Sequence, residues 1–291
     1  METENPIQIG EFQKREPQPS TSRNYGLRSN TVSTTVKELQ KREDDYVTIE
    51  TLNYRDVWEA CTEALKMKKL VGITGYPGAG KTTTLEKFRS KYSSAVTSYD
   101  TEKEELKKRN IWDFEKLGKR PATVLYVRAT ASMKAKDLFR EIFLQLGSDH
   151  YDYSLNTLVN MSADAIRKRV SNSDGGLVII DEAGKLNQNM LEIIHEFRDT
   201  SDYGFGIVLS GPESLHKDIQ DMVRRGKRGM AELSSRISEW VELRRPTKSE
   251  IRAIITSNGI DEQPFMDRCI AQCSDYRKLY NMIKDYKAEK L

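Results

Sequence analysis

The chain has 291 residues, 37% of them hydrophobic and 31% charged, with a formal net charge of +3, which gives room for one large α/β domain with a small appendage or for two modest domains. No apolar run reaches the roughly 20 residues that a membrane-spanning helix needs, and the opening METENPIQIG has no apolar stretch behind a basic start, so neither a membrane nor a secreted protein is indicated and the cytoplasm is expected. A net charge this small does not by itself point to a nucleic-acid partner, so that reading has to rest on local clusters.

Residues 1–45 combine Pro, Ser, Thr, Asn and charge with little periodic apolar content, and a flexible arm is expected there. From Asn53 to Lys69, Val57, Trp58, Cys61, Leu65 and Met67 recur at mostly helical spacing, and Leu70 to Thr74 reads as a buried strand. A glycine-rich turn follows, then a helix from Lys81 to about Lys91, while the charged stretch Glu102 to Arg120 reads as a solvated helical excursion. Strands at Thr123 to Val127, Leu177 to Ile180 and Gly206 to Leu209 alternate with helical segments at Lys136 to Leu146, Ala163 to Val170 and Asn189 to Arg198. That alternation predicts an α/β fold with a parallel sheet flanked by helices. After Pro246, helical stretches at Thr247 to Ser257, Pro264 to Cys273 and Asp275 to Lys287 predict a small C-terminal lid. Cys61, Cys269 and Cys273 read as reduced thiols. Cys269 and Cys273 share a helix face at i,i+4 but have no adjacent His, so core packing is expected rather than zinc.

Gly75-Tyr76-Pro77-Gly78-Ala79-Gly80-Lys81-Thr82 fits the full Walker A pattern, after a strand and before a helix as its mechanics require. Gly75, Pro77, Gly78, Ala79, Gly80, Lys81, Thr82 and Thr83 are therefore expected to hold ATP. The glycines let backbone N–H groups approach the phosphates, Lys81 reaches the β and γ oxygens, and Thr82 holds Mg2+. The plain alternative is a glycine-rich turn without a ligand. Gly176-Leu177-Val178-Ile179-Ile180-Asp181-Glu182-Ala183, an apolar strand ending in two acids, reads as Walker B. Asp181 would join Thr82 in the Mg2+ shell, and Glu182 would orient and deprotonate the attacking water. These motifs divide the chain into an arm (1–45), a nucleotide-binding core (46–245) and a helical lid (246–291).

Together with the Trp58-bearing helix, GIVLSG at Gly206 to Gly211, SRI at Ser235 to Ile237 and YRKLYNMI at Tyr276 to Ile283, these blocks give the chain a resemblance to the AAA+ transposition regulators, the family of the phage Mu target-capture protein Mu B. The resemblance covers roughly residues 47 to 288. It implies a P-loop AAA+ core with a lid and a slow ATPase stimulated by DNA or a partner. It also implies ATP-dependent assembly of a homo-oligomer or helical filament on duplex DNA, largely without sequence preference, and recruitment of a transposase. Arg236 matches a finger arginine that enters the neighbouring subunit's site, and Arg277 the lid's sensor arginine; each has as its alternative a surface arginine paired with a local acid.

The resemblance also places Arg128, Lys134 and Lys136 after one strand, and Ser162, Arg167, Lys168 and Arg169 in a later helix, along the DNA path, where they would bind phosphates without reading bases. Solvated helix faces are the competing explanation for such basic runs. A further run, Arg224-Arg225-Gly226-Lys227-Arg228, reads as a mobile loop near a subunit boundary. One departure is that the strand GIVLSG should be followed by a polar sensor, commonly Asn or Thr, whereas this chain offers Ser210, Pro212 and Glu213 around that point. No nuclease or transposase constellation is present in the sequence. The competing readings are a helicase-loader or replication-initiator ATPase with nearly the same core, a signalling ATPase without a nucleic-acid role, and a small-molecule kinase. The kinase fits Glu182, Arg236 and Arg277 less well than hydrolysis across a subunit interface does.

Overall fold

A computed structural model describes residues 49–112, 117–148, 152–200, 202 and 204–290. The arm expected over 1–45 lies outside these residues. Helix α1 spans Leu52–Met67. It starts where the Thr51 hydroxyl accepts from the Tyr54 N–H at 3.1 Å, an N-cap that satisfies one of the free donors of the first turn. It buries Val57, Ala60, Cys61, Ala64 and Leu65 along one stripe and ends at Lys68 in the left-handed region. Strand β1, Leu70–Thr74, is buried throughout. Helix α2 runs from Lys81 to Lys108, well past the Lys91 limit expected from its apolar pattern. Its buried residues stop at Phe88, but Glu, Lys and Leu beyond that point keep helical propensity with no Gly or Pro to break it. The charged stretch is thus partly the continuation of this helix, which is followed by Asn110 at φ 57.

Strand β2 (Thr123–Arg128), helix α3 (Ala135–Gln145) and helix α4 (Leu155–Val170) follow. Helix α4 begins well before the expected Ala163, at a Ser154 cap that accepts from Thr157 N–H at 3.2 Å. Strand β3 (Gly176–Asp181), helix α5 (Gln188–Thr200) and strand β4 (Gly206–Gly211) complete the expected alternation. Helices α6 (Ser214–Arg224) and α7 (Met230–Arg236) and strand β5 (Ile237–Glu242) are additions to it. The five strands are ordered β2-β3-β4-β1-β5 and every pairing is parallel. Such a sheet needs cover on both faces, which is why β1, β3 and β4 are buried at every position.

One face packs Val127, Phe139, Ile142, Ile166, Phe197 and Leu209 together, and the other packs Val57, Cys61, Ile73, Leu85, Phe88 and Ile179. Each such side chain contributes roughly 1.5–3 kcal/mol by leaving water. Gly206 is required by this packing, because a Cβ there would lie 2.0 Å from the Ala64 carbonyl oxygen of α1. The C-terminal part is helical: α8 (Lys248–Ser257), α9 (Gln263–Gln272) and α10 (Tyr276–Glu289). They share a separate apolar cluster that includes Ile251, Ile255, Phe265, Cys269 and Ile283. Burial pushes the Cys269 thiol up to about 11, which suits a packed side chain better than a thiolate ligand. Among the described residues, no group of His, Cys, Asp and Glu is arranged to hold a metal ion, and no helix is long and apolar enough to cross a membrane.

Candidate nucleotide site

The glycine-rich loop joins the carboxyl end of β1 to the N-terminus of α2, with Gly78 at φ 86 and Gly80 at φ 89. Both values lie in the region that only glycine enters without strain. The loop, from Gly75 and residues 77–83, lines a cavity of about 400 Å³. Lys81 folds back over it, its Nζ donating to the Gly75 carbonyl at 2.5 Å and to the Tyr76 carbonyl at 3.1 Å. Burial lowers the Lys81 pKa, against the pull of Asp181 and Glu182. These carbonyls occupy the ammonium with groups that phosphate oxygens would outcompete, since charge-assisted bonds are the stronger ones.

Asp181, at the end of β3, is only 1% exposed yet accepts four hydrogen bonds. Its Oδ1 takes the Ser210 hydroxyl at 2.8 Å and the Glu182 N–H at 2.9 Å. Its Oδ2 takes the Thr82 hydroxyl at 2.7 Å and the Tyr126 hydroxyl at 3.0 Å. A buried carboxylate is tolerated only when satisfied in this way. Thr82 and Asp181 are thus already side by side as hard oxygen donors of the kind Mg2+ takes, and the pair expected to hold the metal fits it. Ser210, one of the residues around the expected sensor point, is fully buried against this carboxylate.

Glu182 follows with φ 59, a conformation that costs a non-glycine residue of order 1–3 kcal/mol and tends to persist at functional sites. It lines the cavity. Its carboxylate lies between two cations, with Arg128 Nη2 at 3.6 Å from Oε1 and Lys185 Nζ at 3.4 Å from Oε2.

The C-terminal helices close on the loop. Tyr276 N–H donates to the Gly78 carbonyl at 3.2 Å, and Arg277, Tyr276 and Tyr280 line the cavity. Ile49, Thr51 and Tyr54 line the cavity as well, with Ile49 packed against the apolar cluster of the C-terminal helices. The Arg245 guanidinium sits 4.9 Å above the Tyr76 ring, a cation–π contact. Asn53, 3% exposed, bridges the loop and the start of the C-terminal part. Its Nδ2 donates to the Ala79 carbonyl at 3.3 Å and to the Arg244 carbonyl at 2.7 Å, and its Oδ1 accepts from Arg244 N–H at 3.0 Å.

Other expected site residues lie elsewhere. Arg236, at the end of α7, is not among the residues lining the cavity; its Nη2 is 3.8 Å from Asp199 Oδ2, so within one chain it shows the paired-surface arrangement. Lys134 is exposed beside the start of α3, its backbone N–H bonded to Asp137 Oδ2 at 3.0 Å, and Lys136 Nζ is 2.6 Å from Asp152 Oδ1. In α4, Lys168 is exposed and Arg167 is paired with Asp164. Two expected DNA contacts are placed differently. Ser162 is fully buried, its hydroxyl turned into the core, where no phosphate can reach it. Arg169 Nη2 donates to the Leu146 carbonyl at 2.6 Å, and burial lowers its pKa. The Arg224 to Arg228 run, expected as a mobile loop, is the end of α6 and a short turn, with an Arg224–Asp221 pair, Arg228 Nε on Glu192 at 3.1 Å and Gln188 on the Arg228 carbonyl at 3.1 Å.

Compared with known proteins, residues 62–218 match the AAA domain family. The fold is similar to that of the Aeropyrum pernix ORC2 protein in its ADP form, at 17% identity over 82% of this chain and 63% of that one, with a TM-score of 0.54. It is also similar to a chain of Drosophila ORC bound to DNA, at 11% identity over 94% of this chain and 67% of that one, with a TM-score of 0.51. At these identities the likeness is one of fold. The chain spans 52% and 63% of the lengths of the first two solved structures it matches. No curated protein matches the sequence.

Proposed function

We propose that this chain, which belongs to the AAA domain family, binds ATP with Mg2+, hydrolyses it, and works as an oligomer on duplex DNA. The observation that carries the reading is the gathering of Lys81, Thr82, Glu182 and Arg277 around one cavity, with Asp181 bonded to Thr82 beneath it. Lys81 would exchange its two loop carbonyls for β and γ phosphate oxygens, and the α2 N-terminus would add backbone donors. Magnesium, when bound, neutralises charge developing on the phosphate oxygens, and Thr82 and Asp181 are the residues that would hold it. Glu182 would accept a proton from the attacking water and hold it in line. Arg277 would touch the γ-phosphate from the lid, and Arg236 would reach a neighbouring subunit's site.

Two DNA-bound classes remain. The replication-initiator or helicase-loader class has the better support, because the fold likeness to the DNA-bound ORC chain extends over 94% of this chain. The transposition reading, with a transposase as partner and a filament on target DNA, rests on the sequence blocks GLVIIDEA, SRI and YRKLYNMI.

Electron microscopy of the Glu182→Gln protein with ATP and duplex DNA separates them. This variant keeps the shape of the site and loses the proton acceptor, so assemblies should persist. Rings or short arcs with a replicative helicase fit the initiator or loader class, and continuous helical filaments fit the transposition class. No assembly on DNA, and no DNA stimulation of the parental ATPase, would leave a signalling ATPase.

A further inference from the structure

Among the described residues strand β2 is the edge of the sheet, so one side of its backbone has no strand there to bond. At Tyr126 a side chain takes the place of a strand. Gln145, the last residue of α3, accepts from the Tyr126 N–H through Oε1 at 3.2 Å and donates from Nε2 to the Tyr126 carbonyl at 2.8 Å. Both backbone groups of one residue are thereby satisfied by one amide, which fixes that residue against slippage and fraying at the edge. The side chain leaves the other way, and its hydroxyl donates to Asp181 Oδ2 at 3.0 Å. This is the same oxygen that the Thr82 hydroxyl meets at 2.7 Å.

A phenylalanine would fill the same volume, so packing alone does not call for the hydroxyl. An ionised carboxylate has no proton to give, so the bond runs from the phenol O–H to Asp181. The carboxylate is held at each oxygen by two donors, and Tyr126 is the one that comes from outside the nucleotide loop, β4 and the Walker B backbone.

We propose that Tyr126 is a positioning residue for magnesium: anchored at the sheet edge by Gln145, its hydroxyl sets the orientation in which Asp181 meets the metal. The proposal rests on Asp181 being the metal-holding carboxylate. Groups that orient a ligand carboxylate typically matter by 10–100-fold in metal affinity, and a single neutral hydrogen bond belongs at the low end of that range. Because Gln145 closes the helix that begins beside Lys134 and Lys136, the same chain of contacts links the basic segment to the metal site.

The test is the affinity of a fluorescent ATP analogue for the full chain as Mg2+ is varied, with a metal-free measurement in EDTA. For Tyr126→Phe, the metal-free affinity should stay within about twofold of the parent, the Mg2+ concentration for half-maximal effect should rise about tenfold, and excess Mg2+ should restore both affinity and kcat. Gln145→Ala should shift the same midpoint by less, and should add nothing in the Tyr126→Phe background. Asp181→Ala is the control for the underlying assignment. If Asp181→Ala raises the Mg2+ requirement and Tyr126→Phe does not, the positioning role is overturned. If Asp181→Ala itself leaves the requirement unchanged, the Walker B assignment is what has failed. Should Tyr126→Phe not fold, Gln145→Ala decides alone: a raised midpoint supports the proposal and an unchanged one overturns it.

Discussion

Arg128 Nη2 lies 3.6 Å from Glu182 Oε1, which joins a residue expected on the DNA path to the carboxylate expected to activate water. Tyr126 and Arg128 are two apart on β2 and so point to the same side of the strand; they meet Asp181 and Glu182 in turn. While Arg128 pairs with Glu182, the guanidinium competes with a water for that carboxylate. If this chain binds DNA, its phosphates would compete for the same guanidinium. Arg128→Ala should therefore raise ATP hydrolysis without DNA and flatten its stimulation by DNA. The pair is more than half exposed on the arginine side, and exposed pairs are worth about 0.2–1 kcal/mol, so the basal rate should rise by no more than about fivefold. An unchanged basal rate and undiminished stimulation would show that the pair does not restrain the site.

Lys81 loses its proton more easily than an ordinary lysine, because burial lowers its pKa. Phosphate oxygens would raise that pKa again in the complex. Nucleotide affinity should then be constant at low pH and begin to fall as pH rises through the lowered pKa of the free protein, by up to about tenfold per pH unit. Lys81→Ala should remove this slope and weaken binding at neutral pH by roughly 10- to 100-fold, the worth of a hydrogen bond to a charged group. Isothermal titrations between neutral and alkaline pH would read both, and an identical slope in the variant would assign the titration to another group.

Arg236 is held at 3.8 Å by Asp199, which also stands 3.6 Å from His195 Nε2. If it serves the adjoining subunit, Arg236→Ala and Lys81→Ala proteins should each be nearly inactive but recover activity when mixed. In a head-to-tail assembly with random mixing, roughly a quarter of the interfaces would pair an intact loop with an intact arginine. Mixtures that co-assemble by light scattering yet show no recovery would place Arg236 outside the shared site.

On DNA, each phosphate contact contributes about −0.9 to the slope of log affinity against log salt. Replacing Lys134 and Lys136 by Ala should make the slope shallower by up to roughly two units per protomer, equally on unrelated duplexes, because phosphate contacts carry no base information. Ser162→Ala, at a fully buried position, should leave the slope as it was. A shallower slope for the serine variant, or an unchanged one for the double variant, would redraw the path toward Arg225 and Lys227.

The nucleotide loop and the acidic strand end were legible in the sequence because their chemistry depends on neighbours in the chain: a glycine turn, a lysine and a threonine at the start of a helix, two acids after an apolar strand. Strand β5 was not, since an edge strand in which only Ile237 is buried and the rest are exposed or half-buried has little of the apolar continuity that marked β1, β3 and β4. Helix α6 carried a readable stripe in Leu215, Ile219, Met222 and Val223, short enough to be passed over. Ser162 reads as a phosphate contact by its polar type, yet Leu158, Ser162 and Ile166 fall at i,i+4 spacing on one buried face, and that periodicity outweighs it. Ser210, Tyr126 and Asn53 act through partners 29, 55 and 191 residues away, a kind of relation that no local pattern contains.

The Asn53 bridge also fixes where the protein can bend. Its bonds tie the backbone of Arg244 to the carbonyl of Ala79, so residue 244 travels with the nucleotide loop rather than with the helices that follow. A swing of those helices must therefore pivot over residues 245–247, around Pro246. It would break the hydrogen bonds from Tyr276 N–H to Gly78 and from Leu52 N–H to Glu250, part the Tyr276 and Thr51 side chains, and draw Ile49 out of the apolar cluster of the C-terminal helices. A hydrogen bond contributes about 1 kcal/mol net, so the helices are held over the loop by several modest contacts rather than by one strong one. A nucleotide that touches Arg277 better in one lid position than in the other would act directly on that balance.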